Sequence, residues 1–236
     1  MFLNGAASSY VFADPFLAAI PFDEIPRQSG ELGLRKLQAA LAGVLRSPNP
    51  EDQLRAMELL QGFDELSSDT TTALSSLSRS PYPEVALSAF AALLKGEGPK
   101  SSTTQILARL NVYLNSYGGG PNSAALINIG SELRQVTDQV SLPSLEALAV
   151  SRFVVIRRGA MQALRAMKNP SAAATLVVGL DDPDDYVRYL AVISLAETFG
   201  KYEDYAPSMY LFDRNPGFYV GMWKSWWLTE GESEKR

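Results

Sequence analysis

The chain contains no cysteine and no histidine. Disulfides, thiolate nucleophiles, imidazole metal ligands and any Ser-His-Asp or Cys-His grouping are therefore excluded at the outset. Charge is sparse too: 20% of residues are charged, and the balance is a net −5 with a pI near 4.9. So little basic surplus argues against nucleic acid as the main ligand, because phosphate backbones are held by clustered Lys and Arg. No apolar run approaches the ~20 residues of a membrane-spanning helix. No Lys or Arg precedes Arg27, and Asp14-Pro15 interrupts the early apolar stretch, so no secretory signal is expected. A cytoplasmic protein without membrane insertion follows, secreted only if a signal has been removed.

Catalytic motifs are missing as well. Neither a Gly-x-Ser-x-Gly elbow nor a Ser-x-x-Lys occurs, and no Gly-Lys-Ser/Thr follows Gly118-Gly119-Gly120-Pro121, which reads as a turn between helices. No catalytic residue, cofactor or metal is expected. Asp181, Asp182, Asp184 and Asp185 are hard-cation ligand types, but Pro183 breaks the alternating spacing of a calcium loop, so the run reads as a solvated turn and helix N-cap.

What the chain does have is apolar material, 46% of residues, and a period. Val187-Arg188, Ala191 and Ser194-Leu195 lie on one helical face behind the Asp/Pro turn. Ile156-Arg157, Ala160 and Ala163-Leu164 repeat that spacing at a shift of 31, and Val85, Ala89 and Ala92-Leu93 repeat it without the arginine. Ser47-Pro48-Asn49-Pro50-Glu51 returns 33 residues later as Ser80-Pro81-Tyr82-Pro83-Glu84, and Asp182-Pro183 to Val187 returns at the same shift as Asn215-Pro216 to Val220. One amphipathic helix cannot bury its stripe alone. A repeat of this length stacks helix pairs so that neighbours bury one another.

The Asp/Pro turn followed by Val-Arg-x-x-Ala-x-x-(Ala/Ser)-Leu resembles the second helix of a HEAT-like repeat, carried best by Val187, Arg188, Ala191 and Leu195 and by Ile156, Arg157, Ala160 and Leu164. The turn residue six before the arginine is Asp182 in one unit and Ser151 in the other. The resemblance implies an all-α, right-handed α-solenoid of about six antiparallel helix pairs. It implies a protein-binding scaffold without chemistry of its own, an adaptor or a subunit of a larger assembly. Bilin lyases and alkylbase DNA glycosylases share HEAT-like arrays and supply the enzyme alternative, the first requiring an apolar ligand cleft and the second a basic channel.

Three regions are expected. Residues 1–30 form an irregular arm in which Phe2, Tyr10, Phe12, Phe16 and Phe22 are set among Pro15, Pro21 and Pro26, lying across the first helices or docking on another chain. Residues 31–229 form the array, with pairs at 31–46 and 50–62, 69–78 and 83–95, 101–139, 143–150 and 153–167, 170–180 and 184–199, and 203–211 and 217–228. Residues 230–236 form a charged tail.

The candidate partner surface lies in the C-terminal units. Tyr189 and Ile193 lie off the core stripe, and the shift of 33 puts Met222 and Trp226 at the equivalent places of the next unit. A terminal repeat normally presents a polar outer face, so these residues read either as a site for a protein or peptide partner or as a terminal core of their own with Phe212, Phe218 and Tyr219. Arg158, Gln162 and Arg165, at i, i+4 and i+7, form an exposed polar flank facing an acidic partner or solvent. The stem of Arg157 runs beside the apolar stripe, with its head toward a neighbouring turn.

Overall fold

The computed structural model describes residues 31–96, 100–121 and 123–231, and among these helix is the regular structure, with no strand. The arm 1–30 and the tail beyond Gly231 lie outside the described residues. The chain divides into two compact units, one within Met1–Glu97 and one within Gly98–Arg236.

In the first unit, α1 (Glu31–Val44) and α2 (Pro50–Leu60) form one hairpin and α3 (Ser68–Leu77) and α4 (Pro83–Lys95) the next. The repeated prolines set both second helices: Pro50 and Pro83 occupy the first helical position, where a missing N–H costs nothing. Asn49 caps α2 by accepting the Glu51 amide at 3.0 Å. First helix packs on first (α1 on α3) and second on second (α2 on α4), around Leu41, Leu60, Leu74, Val85, Leu87, Ala89 and Phe90.

The second unit continues the same scheme with α5 (Lys100–Ser116), α6 (Ala124–Leu133), α7 (Leu142–Ala149), α8 (Val154–Met167), α9 (Ala173–Gly179) and α10 (Asp185–Thr198), then α11 (Tyr202–Tyr205), α12 (Met209–Arg214) and α13 (Pro216–Trp226). The second helices form a row, α6 on α8 on α10 on α13, and α5, α7 and α9 form the row behind it. Ile156, Ala160, Leu164, Val187, Ala191 and Leu195, the positions shared by the repeats, are all buried. The sixth pair departs from expectation. A single first helix over 203–211 is replaced by α11 and α12, because Pro207 cannot continue the helix and Ser208 starts a new one by accepting the Leu211 amide.

Two glycines bring the backbones of α6 and α8 together. A Cβ on Gly159 would stand 2.3 Å from the Gly130 carbonyl oxygen, and a Cβ on Gly130 would stand 2.5 Å from that of Val155. Backbone meets backbone where α6 crosses α8, and no side chain fits between them. Among the described residues no helix is long and apolar enough to cross a membrane.

Candidate partner-binding surface

The Asp181–Asp185 turn starts α10 and ties it to its neighbours. Asp184 is the N-cap, accepting the Val187 amide at 3.0 Å. Asp182 receives Arg157 of α8 in a two-pronged pair, 2.6 Å from Nε and 2.8 Å from the terminal nitrogen, and both partners are almost fully buried. Asp181 pairs with Lys224 of α13, and Asp185 with Arg188. Each carboxylate thus has its own cation or amide, as a structural turn requires, and among the described residues no group of three acidic side chains is arranged to hold a metal ion.

Arg157 also donates to the Ser151 carbonyl at 3.0 Å, and Arg188 to the Asp182 carbonyl at 2.8 Å. The position six before each arginine therefore contributes a backbone acceptor, and a serine serves there as well as an aspartate. For Arg157 the carboxylate, Asp182, belongs to the following unit, which makes this arginine a strut between repeats, whereas Arg188 pairs within its own helix with Asp185.

The polar flank is likewise engaged with α10. Arg158 reaches Asp184 through two hydrogen bonds of 2.9 and 2.7 Å and lies over the Tyr186 ring, Gln162 donates to the Tyr186 hydroxyl at 3.1 Å, and Arg165 pairs with Glu197. Arg158 holds the Asp184 carboxyl below the usual carboxylate range, assisted by the Val187 amide and opposed by burial. Burial pushes Glu197 up, but hydrogen bonds from Arg165 and Tyr202 outweigh it and the net direction is down. Both carboxylates thus stay charged. The ridge is a set of charge-assisted contacts between consecutive second helices, with the half-buried Tyr186 and Tyr189 rings stacked at 6.2 Å beside it.

The expected apolar face of Tyr189, Ile193, Met222 and Trp226 does not form as one surface. Ile193 and Trp226 are each only 4% exposed. A second helix inside the row has neighbours on both sides and a first helix behind it, so α10 is buried nearly all round, from Leu190 through Ala196. Trp226 packs against Phe199 and Trp223, with ring centroids 4.8 and 5.1 Å away, and its indole donates to Glu230 at 3.0 Å. Tyr189 is half-buried against Phe212, 5.6 Å between centroids. Met222 lines a shallow cavity of about 540 Å³ on α13, with Gly217, Phe218, Gly221 and Ser225. The terminal core anticipated from Phe212, Phe218 and Tyr219 takes Phe212 and Trp223 to full burial but leaves Phe218 exposed.

Of the residues that complete the ridge, Asp184 is marked in the sequence only as a turn and N-cap residue, and Tyr186 and Glu197 are not marked as site residues. Arg134 was likewise unmarked, though it stands 31 residues before Arg165, in the register of the repeat.

Stacked hairpins with first helices on first and second on second, joined by arginine struts, define an α-helical repeat protein. Residues 120–208 match the family model for HEAT repeats, which supports a HEAT-like repeat architecture. HEAT repeats are commonly protein-interaction scaffolds and are generally non-catalytic. No curated protein matches the sequence.

Proposed function

We propose that this chain is a non-catalytic adaptor or assembly subunit that holds a protein partner on the row of second helices, α6, α8 and α10. The observation that carries the reading is the α8–α10 ridge. Its exposed and half-buried side chains, Arg158, Gln162, Arg165, Tyr186 and Tyr189, are already fixed by contacts within the chain. A surface whose rotamers are set before binding loses less side-chain entropy on association, which favours recognition over chemistry. Tyr and Arg are also the side chains that most often dominate interface energies.

Ile193 and Trp226 serve this reading from beneath, as core. Tyr189, Arg158, Gln162 and Arg165 are the proposed contact residues on the ridge, and Met222 belongs to the separate shallow cavity on α13. The test is photo-cross-linking in the native source with a reactive residue placed at Tyr189, or at Val178 on the exposed side of the first-helix row. A partner captured from Tyr189 and not from Val178 is expected. Capture from Val178 alone would move the binding surface to the other row.

A further inference from the structure

Beyond the ridge, the C-terminal ends of α6 and α8 border a groove of about 350 Å³ lined by Arg134, Gln135, Gln162, Arg165, Lys168 and Glu197. Three cations and one carboxylate meet there, in a chain whose net charge is −5. Glu197 is already taken, since Arg165 donates to it from two nitrogens. Arg134 and Lys168 are exposed, and neither side chain forms an ion pair among the described residues. Two unpaired cations on either side of a neutralised pair leave the groove positive. The negative ends of the two helices offset the mutual repulsion of these cations, so their gathering costs little in the absence of a ligand.

We propose that this groove receives the carboxylate side chains of an acidic segment of the protein partner, an inference that rests on the scaffold reading above. Arg134 offers a planar fork that matches a carboxylate with two parallel hydrogen bonds, and Lys168 offers a compact charge with three donors. Gln135 adds an uncharged amide between them in sequence and character. A nucleic-acid backbone is the poorer fit, because it is followed by a long track of cations rather than by three at one place.

The experiment is fluorescence anisotropy of a labelled oligoglutamate peptide with the full chain at low salt. Wild type is compared with the Arg134→Glu, Lys168→Glu double variant and with Lys36→Glu, Arg79→Glu, which makes the same charge change in the other unit; circular dichroism checks that all three fold. Saturable binding that falls about tenfold or more in the groove variant and stays within about twofold in the control is expected. Absence of saturable binding, or an equal loss in both variants, would overturn the proposal. So would tighter binding of a single-stranded oligonucleotide through the same two side chains. The scaffold reading is judged apart from this: a partner captured at Tyr189 that binds wild type and the groove variant alike keeps the scaffold and refutes the groove. Failure to capture any partner counts against the scaffold, while the peptide titration still decides the groove.

Discussion

Arg157 and Asp182 are buried charges joined by two hydrogen bonds, and each makes one more, Arg157 to the Ser151 carbonyl and Asp182 from the Asp184 amide. Removing one partner strands the other away from water. Asp182→Ala is therefore expected to destabilise the second unit by about 3–5 kcal/mol, far more than loss of an exposed ion pair such as Arg46–Asp69, at about 0–1 kcal/mol. Urea denaturation midpoints of Asp182→Ala and Asp69→Ala make the comparison, and equal effects would contradict it. Asp184 and Glu197 add a pH dependence. Both fold with carboxyls lowered from their ordinary value, so their contribution is complete above the unfolded pKa, about 4, and is lost as pH falls through the folded one. Stability should decline on the acid side, and Asp184→Asn should flatten part of the decline that sets in as pH falls below the unfolded value. Arg157 was placed correctly by its register, but its partner was not readable from the sequence. The six-residue spacing to Asp182 marks Arg188 and a backbone carbonyl, whereas the ion pair joins residues 25 apart in neighbouring units.

Among the elements, the second helices were legible because Pro50, Pro83 and the Asp/Pro turn start them and a fixed stripe of Val, Ala and Leu buries them. Their remaining faces were not. A stripe at one period identifies a helix covered on one side; Ile193 falls outside that stripe because α10 is covered on more than one, and Trp226 because α13 buries a different face, Trp223 with Trp226, while Leu228, the equivalent of Leu195, is exposed. Trp226→Ala should accordingly cost about 3–5 kcal/mol of stability, as for any truncated buried aromatic, and the thermal midpoint should fall with it. A midpoint close to wild type would restore Trp226 to the surface. The glycine crossing was equally hidden, since a lone Gly within a helical pattern reads only as a weak helix former. Gly159→Ala must displace backbone and is expected to destabilise severely. Gly179→Ala meets chiefly the mobile end of Met161, at 2.7 Å, and should be milder. Denaturation of the two variants under one set of conditions gives the order directly.

For the whole molecule, the period and the family of fold were readable, and the division after Glu97 was not, because Gly96-Glu97-Gly98-Pro99 has the composition of any inter-helix turn. Each unit closes its own core by stacking first on first and second on second helices. A fragment spanning residues 98–236 is within the size range of independent domains and should unfold in one cooperative transition by circular dichroism. A fragment without helical signal would show that the units depend on one another.

The contact between Gly130 and Gly159 bears on how such a row yields under load. Side-chain interfaces have torsions to adjust before they part, as Met161 has against Gly179, whereas two peptide backbones in contact have none. Helices α6 and α8 therefore form a stiff joint that neither slides nor compresses. Elastic deformation of the second unit then falls to the α8–α10 and α10–α13 interfaces, where arginine struts and aromatic rings turn before they break.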